Sequence, residues 1–344
     1  MTAEKKRVTV LDVARHAGVS QGTVSRVITG KNWVSPEMRQ QVEASVRALG
    51  YVPNPLAQGL KSRRTRAVAA LVSDISNPLH GVFLAAAEET LHEEGYLLFV
   101  SSTHNRPQRE LELLEAFRSG RVDGLIVAQA DERDSKVLQA IKDTELPVVF
   151  HDRETGNLGD AVVADHRAGA YAATKYLTGM GHKRIAVLTP PSIIRPGRER
   201  LAGYSQALQD SGLPLEESLL CALGASGDNA YSQTKALLDR ADRPTAMICL
   251  GTGMLAGVLA AIASAGLHIP RDISLIGVGD TDLTRLYSPP ITSLKWDIAA
   301  CGHMAARMLL GQLRTDGKRA PKFETNLVPV ELVIRHSCAQ PAQP

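Results

Sequence analysis

From Ala67 onward, short apolar runs alternate with amphipathic stretches, and this period limits the fold more than any other feature of the chain. The runs VAALVSD, YLLFVSS, DGLIVAQ and PVVFHD read as buried strands, and after residue 180 RIAVLT, LLCAL, AMICLG and ISLIGVG repeat the pattern. Helical patterns such as FLAAAEETLHEEG and ELELLEAFRSG separate them. Strands that are apolar on both faces and joined by helices form parallel sheets covered on both sides. With 344 residues the chain exceeds one comfortable core, and the βα pattern restarts near His182. The expectation is two doubly wound lobes with a cleft where the parallel strands end.

The first fifty residues have a different period. Thr9 is placed to cap a helix through LDVARHA, with Asp12 completing a capping box, and Gly18 ends it in a left-handed turn. Ser20 caps a second helix whose apolar side is Val24, Val27 and Ile28. Ser35-Pro36 opens a third helix, with inner stripe Met38, Val42, Val46 and Leu49, which ends at Gly50. Three short helices with a tight turn between the first two predict a helix-turn-helix, whose second helix enters the DNA major groove. Gln21, Gly22, Ser25 and Arg26 are not needed for packing and face outward; Gln can fork to adenine and Arg to guanine. Ser20, Thr23 and the helix start suit phosphate.

Charge distribution agrees with a polyanion partner. Residues 1 to 66 carry 12 Lys and Arg against 4 Asp and Glu, a net +8, whereas the remaining 27 against 32 give −5. Between the two regions lies YVPNPLAQGLKSRRTR, with two prolines, a basic tail and a short candidate helix capped by Asn54 that needs an outside partner to order. The domain reading is a headpiece over 1–52, a hinge or linker over 53–66 and a core over 67–344. Cys221, Cys249, Cys301 and Cys338 stand no closer than 28 positions and suit free thiols. No apolar leader follows the charged start, and the one uncharged stretch of span length, residues 244–270, is divided into the strand run AMICLG, a GTG turn and a helical run, so a cytoplasmic protein without membrane contact is expected. GxSxG occurs only as GVSQG at 18–22, between two helices and not at a strand-to-helix elbow, HExxH and CxxC motifs are missing, and GQLRTDGKR has the wrong spacing for a P-loop. No catalytic residue, metal or cofactor is expected. LGTGMLAG fits GxGxxA, with Asp272 about 20 residues on, and keeps a dinucleotide-binding enzyme as a rival.

Over nearly its full length the chain resembles the lactose-repressor (LacI/GalR) family of bacterial transcription regulators. The motifs carrying the resemblance are VTVLDVARHAGVSQGTVSRVITG, YVPNPLAQGL, ISNP, GHKRIAVLT, RLAGYSQAL, SPPITSLKWD and LVPVELVIRHS. The resemblance implies a DNA-binding headpiece, a hinge helix, a core like that of periplasmic sugar-binding proteins, and homodimerisation through that core. It implies that Thr9 lies among the DNA-contacting residues with Ser20, Gln21, Gly22, Thr23, Ser25 and Arg26. In the hinge it assigns DNA contacts to Asn54, Ala57 and Leu60, with Leu60 as a wedge at the central base step of a near-palindromic operator. Gly22 departs from members with a base-reading side chain there, which leaves readout chiefly to Gln21 and Arg26.

For a small-molecule effector the resemblance points to Arg200, with Asn77, Asp152 and Arg153 as further cleft residues for which a structural ion pair is an equal alternative; Arg198 and Asp280 are further candidates for effector contact. Gly251-Thr252 and Gly279-Asp280 stand where many relatives carry Asn-Asp and a pair of acidic residues. With these acceptors missing and His151, Arg153, Arg195, Arg198 and Arg200 able to converge, the expected effector is sugar-like and anionic, a sugar acid or sugar phosphate. Two rivals remain: a solute-binding or enzymatic core that does not need the headpiece, and a DNA binder without sequence preference.

Overall fold

The computed structural model describes residues 8–28, 34–51, 65–119, 121–154, 157–223, 229–315 and 322–342. The chain divides into two compact units, Met1–Thr65 and Arg66–Pro344.

In the first unit, α1 (Val10–His16), α2 (Gln21–Ile28) and α3 (Pro36–Leu49) enclose Val13, Ala14, Ala17, Val24, Val27 and Val42. Thr9 and Asp12 form the capping box, Gly18 takes φ +60°, and Ser20 Oγ accepts the Thr23 amide at 3.1 Å. Ser35 caps α3 and Gly50 closes it in the left-handed region. One expectation fails. Met38 is exposed, and the inward positions are Val42, Ser45, Val46 and Leu49, because Ser45 is buried by bonding His16 Nδ1 at 3.0 Å and the Gln41 carbonyl at 2.9 Å. A hydroxyl satisfied in this way packs as a small apolar group does.

The second unit holds two six-stranded sheets. Lobe 1 orders its strands β11-β5-β4-β3-β1-β2: β1 (Ala67–Val72), β2 (Leu97–Ser102), β3 (Gly124–Val127), β4 (Val148–His151), β5 (Asp160–Ala164) and β11 (Thr325–Val328). Lobe 2 orders them β12-β10-β9-β8-β6-β7: β6 (Ile185–Thr189), β7 (Leu220–Ala222), β8 (Ala246–Cys249), β9 (Ser274–Val278), β10 (Thr292–Lys295) and β12 (Glu331–Val333). All pairings are parallel except β10 with β12.

The strand-like C-terminal run TNLVPVELVIR forms two strands. Residues up to Val328 join lobe 1 and residues from Glu331 join lobe 2, with Pro329 between them unable to donate a ladder bond. The chain also crosses between lobes from β5 into α7 (His166–Gly179) and from β10 into α12 (Ile298–Arg314). β10 escaped the apolar pattern because its buried Thr292 and Ser293 are polar, each bonded to the C-terminal segment 335–337.

The remaining core helices are α4 (Pro78–Glu93), α5 (Pro107–Arg118), α6 (Ser135–Asp143), α8 (Arg195–Gln209), α9 (Ala230–Leu238), α10 (Leu255–Ser264) and α11 (Asp282–Leu286). Two helix crossings depend on glycine: an added Cβ would lie 2.1 Å from the Arg167 carbonyl at Gly203 (α7 against α8) and 2.2 Å from the Phe83 carbonyl at Gly302 (α4 against α12). No described helix is long and apolar enough to cross a membrane.

Candidate functional site

In both sheets the strand order reverses beside the first strand, so the loops that leave the C-terminal ends of β1, β3 and β4 face those leaving β6 and β8. A cavity of about 90 Å³ lies there, lined by Asn77, Leu79, His80, His151, Asp152, Arg153, Arg200, Gly251, Met254 and Trp296 among others. Four of the expected effector residues, Asn77, Asp152, Arg153 and Arg200, therefore meet in one cleft. Two do not. Asp280 is held by Arg335, and Arg198 by Glu132 and Glu154. Arg195, grouped with the convergent cations, bonds Glu154 and the Ala164 carbonyl. Sequence reading missed Glu132 and Glu154 because nothing in the loop DERD or in RETG shows that both face arginines from the other half of the chain.

The charged centre of the cleft is a directed chain of hydrogen bonds. Arg200 can only donate, so His166 Nδ1, 3.2 Å from its terminal nitrogen, must accept. His166 Nε2 therefore carries the proton and donates to Asp152 Oδ2 at 2.7 Å, and the other Asp152 oxygen accepts the Ala164 amide at 3.1 Å. Arg200 also donates to the Leu250 carbonyl at 2.7 Å, while its Nε is buried with no hydrogen-bond partner among the described residues. Burial, and after it the charge of Arg200, pushes His166 down to about 4 against the pull of Asp152, so the imidazole is neutral at pH 7. Burial alone would raise Asp152, but His166 and Arg200 hold its carboxyl well below the usual range. Asp152 itself sits at φ +55°, which turns the chain so that its side chain meets the start of α7.

Beside this chain, His151 stacks on Phe83 at 3.8 Å and burial pushes it down to about 3. Arg153 donates to the Gln129 carbonyl at 2.6 Å and to the Asp152 carbonyl at 2.9 Å. The two glycines that replace expected polar side chains are covered by neighbours. A Cβ on Gly279 would lie 3.0 Å from Leu79, and one on Gly251 would lie 2.5 Å from Met254 Sδ. Met254 thus lies over Gly251, at the turn on which the dinucleotide reading rested.

On the first unit, Gln21 and Arg26 are exposed on one helix, with Gly22, Thr23 and Ser25 half-buried beside them. Ser20 Oγ caps α2 through the Thr23 amide and lies 3.0 Å from Thr23 Oγ1, and Thr9 serves the cap of α1. A Cβ on Gly22 would meet nothing closer than 3.6 Å, so the glycine is not demanded by the protein's own packing. Asn54, Ala57 and Leu60 lie outside the described residues.

Comparison with known proteins supplies what this geometry cannot. Residues 9–54 match the model of bacterial regulatory proteins of the lacI family, and residues 174–338 match a periplasmic binding protein-like domain. The HTH-type transcriptional regulator DegA of Bacillus subtilis is 32% identical over 334 residues, covering 96% of this chain and 98% of that protein. The HTH-type transcriptional repressor PurR of Histophilus somni is 31% identical over 330 residues, with the same coverage of 96% and 98%. The Lac repressor dimer bound to operator and the anti-inducer ONPF superposes with TM-score 0.84 at 29% identity, over 97% of this chain and 100% of that one. The regulator CelR in complex with cellobiose gives TM-score 0.72 at 28% identity, over 96% and 100%. The relatives are regulators rather than enzymes, and this chain belongs to the LacI family of DNA-binding transcriptional regulators.

Proposed function

We propose that the protein is a cytoplasmic, homodimeric repressor that binds a near-palindromic operator through paired headpieces and is controlled by an anionic, sugar-like effector in the interlobe cleft. The observation that carries the DNA reading is the exposure of Gln21 and Arg26 on a capped second helix within a region of net +8. A twofold dimer requires symmetric half-sites. Edge strand β2 favours dimerisation through lobe 1, because it presents Leu97, Phe99 and Val100 at 63%, 51% and 36% exposure. Asn54, Ala57 and Leu60 are the proposed hinge contacts, with Thr9, Ser20 and Thr23 at the backbone.

Selection of bound fragments from genomic DNA by the purified protein tests this reading. A symmetric motif of roughly 14 to 20 base pairs is expected, since each headpiece covers one half-site. Arg26→Ala should then weaken operator binding about 10- to 100-fold at fixed salt and relax one base position, with a smaller loss on random duplex. Equal losses on both duplexes would favour binding without sequence readout.

The effector class follows from unmatched hydrogen-bonding capacity. Among the described residues, Asp152 is the carboxylate lining the cleft and is already occupied by His166 and Ala164; Leu79 and Met254 cover the positions where other acceptors were expected; Arg200 Nε has no acceptor there. A donor-rich site calls for a carboxylate or phosphate on the ligand. The engagement of Arg195 and Arg198 by acids leaves Arg153 and Arg200 as its partners. Calorimetry against acidic and neutral forms of matched sugars should give heat only with the acidic form; binding of the neutral form alone would refute this class.

A further inference from the structure

The start of α8 lacks a cap of its own. Residue Ile194 stands at the N-cap and has no side-chain acceptor, whereas α4, α6, α7 and α12 are capped by Asn77, Asp134, Asp165 and Asp297. The acceptor comes from the other lobe. Glu132, in the loop after β3, reaches across so that Oε1 accepts the Arg195 amide, while Oε2 accepts the Glu154 amide at 2.6 Å. Its side chain is 3% exposed.

We propose that Glu132 is an interlobe positioning residue: as the N-cap of α8 supplied in trans, it makes the first turn of that helix, and with it the cleft residue Arg200, depend on closure of lobe 1 onto lobe 2. The inference rests on the reading of the cleft as the effector site and names how that site is regulated. A carboxylate at a helix N-terminus meets both the unpaired amide and the positive end of the dipole. Arg198 lies 3.7 Å from Glu132 and adds to this. Glu154 also pairs with Arg195 at 3.0 Å and Arg198 at 3.2 Å, but it is 56% exposed and water screens those pairs. Glu132 is therefore the strong member of the clasp. When the lobes part, the Arg195 amide loses its acceptor to water, and the first turn of α8 is released one helical turn before Arg200. Ligand contacts to Arg200 and the cap of Glu132 then favour the same closed state, which couples effector binding to lobe angle.

Amide hydrogen exchange of the full chain is the direct test, with acrylamide quenching of Trp296, a cleft residue, in a Trp33→Phe background that leaves it the sole tryptophan. Glu132→Ala should accelerate exchange in residues 194–198 about tenfold or more and increase quenching, while the strands of both sheets keep their protection. Glu132→Gln, which keeps one acceptor oxygen but turns an N–H toward the second amide and loses the charge, should restore only part of the protection. Arg198→Ala, which keeps the cap, should give about a two- to fivefold change and serves as the deciding variant if Glu132→Ala does not fold. Unchanged exchange at 194–198 in these variants, or acceleration spread evenly over both sheets, would overturn the proposal. Effector binding is read separately: no heat with any sugar acid, together with the localised exchange change, would remove the effector reading and leave the trans cap standing.

Discussion

Gly302→Ala is expected to destabilise the two-lobed core by about 3 kcal/mol, whereas Gly311→Ala on the same helix should be neutral or stabilising by about 0.5 to 1 kcal/mol. The two glycines differ only in what lies opposite. At Gly302 a Cβ would stand 2.2 Å from the Phe83 carbonyl and 3.0 Å from Ala86 Cβ; at Gly311 nothing lies within 4 Å. A backbone carbonyl in a helix cannot turn aside as a flexible side chain can, so α4 and α12 must separate and lose packing along the crossing. At Gly311 the substitution only removes the freedom of the unfolded chain. Urea midpoints of the two variants decide the matter, and values equal to each other within the error of the transitions would show that the crossing is looser than described.

Lowering the pH from 7.5 to 4.5 is expected to cost the core on the order of 1 to 4 kcal/mol, from opposing contributions of buried groups. Burial holds His151 at about 3 and, with Arg200, His166 at about 4. Their ordinary value is about 6.5, so as pH falls below it the unfolded chain takes up protons that the folded chain refuses, and stability is lost. Together the two histidines account for about 5 kcal/mol at pH 4.5. Glu110 works the other way. Burial raises it to about 7 against its bond from the Ala130 amide and the charge of Arg153, so the fold gains as pH falls from about 7 toward 4.5, by about 3 kcal/mol. His80, lowered by burial, adds to the loss, and Glu132, raised by burial, adds to the gain. Asp152, held low, protects stability until the pH falls below the usual carboxylate range, where its contribution too is lost. Urea denaturation at several pH values checks the sum, and Glu110→Gln should steepen the decline because it removes the compensating gain. A flat profile, or stability rising toward pH 4.5, would contradict the assignment of His151 and His166 as buried neutral groups.

The helix-turn-helix was legible almost residue by residue because its signals are local. Thr9 with Asp12, Gly18, Ser20, Ser35-Pro36 and Gly50 each act within one turn of helix, and the structure uses each where the pattern predicts. Met38 and Ser45 were exchanged in the stripe, since hydropathy alone does not reveal a serine whose hydroxyl is satisfied inside. The two-lobed α/β core followed from the strand–helix period. Its less apolar strands did not: β5 starts at the polar Asp160, and β10 buries hydroxyls that bond a segment forty residues later.

By itself, then, the sequence determined the fold class, the headpiece and, through its motifs, the family, because periodicity and capping are encoded by neighbours in the chain. Only the tertiary structure decided which arginines were committed. Arg195, Arg198 and Arg200 follow one another on one helix and read alike, yet the first two face Glu132 and Glu154 from the other lobe, and the third faces His166 and the cleft. Leu79 over Gly279 and Met254 over Gly251 likewise shape the cleft through contacts that spacing does not expose. A side chain's charge is written in the sequence, but its partner is set by the closing of strands far apart in the chain, and that pairing decides whether it binds a ligand or holds the lobes together.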